Sequence, residues 1–409
     1  MRRGGAAPAL GRRLAALAAL VALGLAGYWS LRLAWGDSLF QQDTLAAVGK
    51  AARVLPGNAE YIGRLHSLDP NGNPAALREA LRLNPRFSAG WIEMGLRAEI
   101  DGDFHAAETF LLEAAKVDRT YDPRWTLANF YLRRGNWDLF WPWVRAAVET
   151  AYQDRSPLYR LCWQATDDPK RILALAIPDQ PRILAEYLSF LMGTGRLDAA
   201  AAVALRLGAF NDAQISPVLL TYCDRLLEAG RGHEAAGVWN QLSRAGLIPH
   251  PPLTPERGIS LINGTFTQPI SGKGFDWRLA TVSDVSVNRA VSPAALKFVF
   301  SGRQPEQCRL VEQILCVEPS KSYRLRFRYR TEGIGPATGL RWIVSADAQK
   351  VLSAGPDLSS EDWKEDNLKF SVPAGLDLAR LSLDYARSVG TTRIEGSVYL
   401  SGLALEFLH

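Results

Sequence analysis

The spacing of apolar residues takes three forms along the chain. From 14 to 31 it is unbroken: LAALAALVALGLAGYWSL carries no charged side chain over 18 positions, about enough helix to cross a bilayer. From 43 to 248 apolar and small residues recur every three or four positions, as in amphipathic helices packed on one another. Beyond 256 the period drops to two. ALKFVF (295–300), RLVEQILCVE (309–318), YRLRFRYR (323–330), GLRWIVS (339–345), NLKFSV (367–372), LARLSLDY (378–385) and IEGSVYLSGLALEFL (394–408) all read as strands separated by turn residues. That many short strands predict an all-β antiparallel sandwich of jelly-roll type. The pattern thus predicts a multidomain chain: an arm and transmembrane helix over 1–36, an all-α array over 43–248 and a sandwich over 258–409. PHPPLTPERG, with four prolines in ten residues, supplies a linker over 249–257.

One strand stands out. In YRLRFRYR, Tyr323, Leu325, Phe327 and Tyr329 alternate with Arg324, Arg326, Arg328 and Arg330, so four guanidinium groups stand in a row on one sheet face. Three readings suit that row. It is a solvent-facing surface with cross-strand carboxylates such as Asp384 and Glu395 as partners. Or it is a groove for an acidic polysaccharide, shared with Trp277, Trp342, Trp363 and Arg387. Or it docks on an acidic protein face or on anionic lipid headgroups.

Charge narrows the choice little. The formal net charge is +5, and Arg2, Arg3, Arg12 and Arg13 supply four of it within an N-terminal stretch that contains no acid. The basic balance belongs to that arm and does not indicate a nucleic-acid partner. The same arginines put the N-terminus on the cytoplasmic side and everything after about residue 36 outside, with Tyr28, Trp29 and Trp35 at the far interface. The competing reading is a cleaved signal peptide with Gly24-Leu25-Ala26 as its small-residue site.

Candidate chemistry is sparse. Cys162, Cys223, Cys308 and Cys316 form no CxxC pair, and His66, His105, His233, His250 and His409 have no spaced partner, so neither metal nor cofactor is implied. Cys162 and Cys223 fall in apolar helical contexts and read as core. On one continuous strand Cys308 and Cys316 would lie about 26 Å apart; a disulfide requires a turn at Val311–Gln313. There is no G-x-S-x-G, HExxH or P-loop, and Gly333, Gly335 and Gly339 read as a turn. No catalytic residue is predicted. The one enzymatic alternative, a glycan-modifying site in the sandwich, would need a carboxylate pair such as Asp384 and Glu395 across a cleft.

Two helical windows share a pattern. WIEMGLRAEIDGDFHAAETFLLEAAKV has Trp91, Met94, Gly95, Gly102, Ala107, Leu111 and Ala114; RWTLANFYLRRGNWDLFWPWVRAAVE has Leu127, Ala128, Tyr131, Gly135 and Ala147. Gly102 and Gly135 are 33 residues apart, and Gly195 and Gly230 repeat the relation at 35. This resembles the tetratricopeptide repeat, and implies about five or six helix pairs with a partner-binding groove reached by Trp125, Asn129 and Arg133. NPAALREALRLNP (73–85) reads as another second helix, whereas 151–180 fits poorly because Asp167-Asp168-Pro169 and Pro178 break it. The cluster NWDLFWPWV (136–144) reads as packing, with Pro142 either kinking a helix or sitting in the first turn of a late-starting one.

The sandwich opens with LINGTFTQPISGKGFDWRL, whose Asn263, Gly264, Phe266 and Trp277 resemble the start of galactose-binding-like carbohydrate-binding modules. In that resemblance IEGSVYLSGLAL is a closing strand that returns to pair with the first. The combination resembles bacterial tetratricopeptide proteins found with exopolysaccharide assembly systems. It implies a non-enzymatic scaffold in the inner membrane, facing the periplasm, with a protein partner on the helices and a glycan on the sandwich.

Overall fold

The structure, a computed structural model, describes residues 7–69, 74–210, 212–291, 294–347 and 350–408. Arg2, Arg3 and His409 lie outside the described residues. The chain separates into two compact units, Met1–Pro178 and Asp179–His409.

The first unit is helical: α1 (Ala7–Phe40), α2 (Leu45–Val54), α3 (Ala59–Leu68), α4 (Pro74–Leu83), α5 (Ser88–Ile100), α6 (Phe104–Val117), α7 (Tyr121–Arg133), α8 (Trp137–Thr150), α9 (Ser156–Ala165) and α10 (Pro169–Leu175). The stretch Leu14–Phe40 of α1 contains an 18-residue window with a mean hydropathy of 1.9 and is long and apolar enough to cross a membrane. Its last turns belong to the helical array. Arg32 Nε donates to Val54 O at 2.7 Å, and Tyr61 donates its hydroxyl proton to Asp37. Gly36 lies so near α2 and α3 that a Cβ would fall 2.9 Å from Leu55 Cδ1. The helix that carries the apolar segment therefore continues unbroken into contact with α2 and α3.

The two windows fold as the helix pairs α5–α6 and α7–α8. Gly102 (φ 82°) and Gly135 (φ 64°) occupy the left-handed region at the turns, where a Cβ is costly. Each is followed by the cap of the next helix: Asp103 Oδ1 accepts from Ala106 N, and Asn136 Oδ1 from Leu139 N. Leu111, Ala107 and Ala114 are buried between the helices, as are Leu127, Ala128, Tyr131 and Ala147. The stretch after 150 gives only the short helices α9 and α10, the second capped by Asp168. Within the tryptophan cluster Trp141 is buried with Phe140 and Val144, but Trp137 is 40% exposed. Pro142 is the sixth residue of α8, past its first turn, so the late-start alternative does not hold.

The second unit begins with α11 (Pro181–Gly193), α12 (Leu197–Leu207), α13 (Ser216–Glu228) and α14 (Gly232–Arg244). Ten strands follow: β1 (Arg278–Leu279), β2 (Val285–Val291), β3 (Ala294–Ser301), β4 (Gln307–Cys316), β5 (Ser322–Glu332), β6 (Leu340–Ser345), β7 (Val351–Ala354), β8 (Lys364–Ser371), β9 (Leu378–Ala386) and β10 (Glu395–Phe407). They form two antiparallel five-stranded sheets, β1-β4-β9-β6-β7 and β2-β3-β10-β5-β8. Periodicity did not reveal β1, β2 and β7. The first and last of these are too short to show alternation, and β2 interleaves Val285 and Val287 with small and polar residues.

The core lies between the sheets, and Trp277 and Trp342 are fully buried in it with ring centres 6.1 Å apart. Both were candidates for the arginine face, and their burial removes them from it. Cys308 and Cys316 lie on the single strand β4, and all four cysteines are free. The closing strand β10 pairs with β3 and β5, not with the first strand. It meets the start of the sandwich through the Asn263–Phe266 turn instead: Leu403 N donates to Gly264 O at 2.9 Å. Asn263 (φ 49°) and Phe266 (φ 55°) are left-handed there. The Asn263 amide closes the loop on Gln268, and Trp277 Nε1 donates to Ile262 O and Asn263 O.

The proline-rich stretch is packed on α14. Ser243 Oγ donates to His250 O at 2.7 Å, and the Asn240 amide bonds to both Leu253 O and Leu253 N. Trp239 stacks on His250 and meets Phe275 edge-on.

Candidate functional site

The arginine row forms as its alternation dictates. Tyr323, Leu325, Phe327 and Tyr329 are buried against the opposite sheet, while Arg324, Arg326, Arg328 and Arg330 stand on the outer face of β5. The neighbouring strands decide what surrounds them. On β8, Lys369, Asn367 and Glu365 stand opposite Arg324, Arg326 and Arg328. On β10, Glu406, Ala404, Ser401 and Tyr399 stand opposite Arg324, Arg326, Arg328 and Arg330.

The register of β10 shifts between Ser401 and Ala404, around Gly402 at φ 63°. An irregularity of this kind bends a strand locally, and a glycine there raises no side chain above the sheet. A groove of about 660 Å³ opens at this place, lined by Arg324, Arg326, Arg328, Lys369 and Gly402 together with the carboxylates of Glu365 and Asp366.

The four guanidinium groups are not equivalent. Arg326 pairs with Glu406 and Arg330 with Glu332. Arg324 and Arg328 make no ion pair among the described residues. Arg328 instead lies over the ring of Trp363, 4.8 Å from its centre. Tyr399 carries two cations, Arg330 at 4.6 Å and Lys297 at 4.7 Å, and donates its hydroxyl proton to Glu332 at 3.0 Å. Trp363 and Tyr399 meet edge to face at 6.5 Å.

The fold therefore brings Arg324, Arg326, Arg328 and Trp363 together. Arg387 follows β9, in the other sheet, where it donates to Thr391 O and pairs with Glu306. Asp384 is also on β9 and pairs with Arg309 at 3.2 Å, so it cannot serve as a cross-strand partner of the row. Glu395 shares the outer face, at the head of β10, but makes no ion pair among the described residues. Asp384 and Glu395 belong to strands of different sheets and form no facing carboxylate pair. Lys297, Lys369, Tyr399, Gly402 and Glu406 escaped the sequence reading. Alternation marks several of them as outward-facing, but nothing local says that their strands flank β5.

In the helical array Trp125, Asn129 and Arg133 lie at i, i+4 and i+8 on one face of α7. Trp125 stacks on Tyr121 at 6.0 Å, and the Asn129 amide donates to Trp125 O. Arg133 makes two 2.7 Å bonds to Glu99 of α5, 34 residues earlier. All three are engaged within the array.

No protein-family model matches this chain, and no curated protein does. Solved structures similar to parts of it include two kinds, which the sandwich and the helical part respectively fit. One kind includes a CBM4 module (14% identity, 36% of this chain and 98% of that one, TM-score 0.29). It also includes TmCBM61, solved with beta-1,4-galactotriose (16% identity, 36% and 96%, TM-score 0.25). The other includes YrrB, a TPR protein with an unusual peptide-binding site (13% identity, 49% and 92%, TM-score 0.24).

Proposed function

We propose that this protein is a non-enzymatic scaffold of the bacterial envelope. In this reading α1 anchors it in the inner membrane with the N-terminus cytoplasmic and the remainder in the periplasm. The helical repeats hold a protein partner along the face of Trp125, Asn129 and Arg133. The outer face of β5 holds a glycan during exopolysaccharide or envelope assembly.

The observation that carries this reading is the groove beside β10. Most of a sheet face is flat, but here a hollow of about 660 Å³ opens beside Gly402 between side chains that include arginines, which donate hydrogen bonds in planar forks. Such groups match the hydroxyl and carboxylate oxygens of sugars. The unbroken run of α1 into contact with α2 and α3 supports a protein held close to a membrane surface.

A glycan array probed with the detergent-solubilised full chain tests the proposal. Retention of at least one glycan, reduced by Arg328→Ala, is expected. Binding to no neutral or acidic glycan would remove the glycan half of the reading. Hydrolysis or transfer on extracted polysaccharide, lost on Asp384→Asn or Glu395→Gln, would replace the scaffold by an enzyme.

A further inference from the structure

Aromatic rings on a glycan-binding face usually suggest stacking against sugar rings, but here cations already lie on them. Arg328 covers Trp363, and both Arg330 and Lys297 lie over Tyr399. A guanidinium held over a ring by cation–π attraction is confined there while keeping N–H donors for a ligand. The rings thus hold cations in place. From this we infer that the β5 face reads its ligand by charge. The ligand is a polysaccharide bearing carboxylates, with Arg324 and Arg328 as its binding groups and Trp363 as the residue that positions Arg328. The inference rests on the glycan reading above and names the class of glycan.

Three observations converge on it. Arg324 and Arg328 remain without a carboxylate although Glu406 and Glu365 stand opposite them in register. Glu406 goes to Arg326, and Arg328 turns to Trp363. Between Arg324 and Glu332 the face carries six cations, the four arginines with Lys297 and Lys369, against three carboxylates, Glu332, Glu365 and Glu406; Asp366 also lines the groove but pairs with Lys364, and Glu395 lies beyond them. Finally, Arg324 and Arg328 are four residues apart on one strand, about 13 Å, with the paired Arg326 between them. One small anion cannot span that distance. A chain with repeated carboxylates can place one at each end of the groove and fork-pair both.

The test uses the detergent-solubilised full chain with two probes of matched length, polygalacturonate and neutral β-1,4-galactan, and a third, phosphatidylglycerol vesicles. Polygalacturonate is expected to bind, more weakly as NaCl is raised, and galactan to bind at least tenfold less well. Arg324→Ala with Arg328→Ala should lower polygalacturonate affinity by at least about tenfold, since two charge-assisted bonds are lost. Arg324→Gln with Arg328→Gln, which keeps the side-chain length, should do the same and covers the case of a poorly folded alanine variant. Trp363→Ala should weaken binding, and Trp363→Phe should restore it.

Galactan binding that survives both arginine variants but is lost with Trp363→Ala would overturn the charge reading and leave the glycan reading standing. Binding to neither polymer would overturn both. Binding to the vesicles but not to polygalacturonate, and reduced by Arg324→Gln with Arg328→Gln, which leaves α1 untouched, would assign the face to lipid headgroups and overturn the inference.

Discussion

Asp224 of α13 receives the guanidinium of Arg278 on β1 at 2.9 Å and, through the same oxygen, the N–H of Gly274 at 2.8 Å. One helical carboxylate therefore fastens the loop that opens the sandwich, and Asp377 does the converse by accepting from Gly232 N on α14 at 3.0 Å. Asp224→Ala would strand two half-buried donors, one on an arginine whose Nη1 is already buried without a hydrogen bond. The expected loss is about 1–3 kcal/mol, with Asp224→Asn costing less because an acceptor remains. Urea denaturation of the full chain measures both, and equal midpoints for wild type and Asp224→Ala would refute the role.

Gly264 marks a second close approach. A Cβ there would run into Leu403 O, a backbone atom that cannot swing away. Gly264→Ala is therefore expected to cost about 2–3 kcal/mol and to loosen the contact between the opening turn and β10. Gly335, whose Cβ would meet nothing within 4 Å, is the control: Gly335→Ala should stay within about 0.5 kcal/mol of wild type.

Acid should weaken the second unit through Asp276. Burial pushes this carboxyl up, but the neighbouring His250 imidazole, the N–H and hydroxyl of Ser271 and the N–H of Trp277 outweigh burial and hold it below its ordinary value. A carboxyl depressed in the folded state adds stability above its unfolded pKa of about 3.9. That stability is lost as pH falls through the folded value. The urea midpoint is expected to drop below about pH 4 in wild type. In Asp276→Asn it should start lower and fall less steeply, and parallel slopes would count against this account.

The repeat glycines separate packing from propensity. In Gly95 a Cβ would sit 2.6 Å from two carbons of Leu111 on α6, whereas at Gly193, exposed near the end of α11, it would touch nothing within 4 Å. Alanine is the better helix former by about 1 kcal/mol. Gly193→Ala should thus raise stability by up to about 1 kcal/mol, and Gly95→Ala should lower it by about 1–2 kcal/mol. Thermal melting of the two variants decides the matter by sign alone.

Much of the architecture was legible because its signals are local. A helix pair needs a left-handed turn residue and small residues where its helices touch, and Gly102, Gly135, Gly95 and Ala107 mark those places within one window. The sandwich strands announce themselves by alternation, and even the burial of Trp342 was readable, since it keeps step with Leu340 and Val344. Trp277 gave no such signal, because it precedes a two-residue strand. The break after residue 150 was equally visible, since Asp168 and Pro169 suit a helix start and not a helix interior.

The sequence by itself determined that four arginines share one side of β5, because a strand places every second residue on the same face. The tertiary structure alone decided that β8 and β10 flank that strand. It also decided that a groove opens beside the register shift at Gly402 and that Glu406 pairs with Arg326 while Arg324 and Arg328 make no ion pair among the described residues. Strand neighbours come from parts of the chain tens of residues apart, and their order depends on how two whole sheets bury their apolar faces against each other. Alternation specifies which way a side chain faces; only the packed sandwich specifies what it faces with.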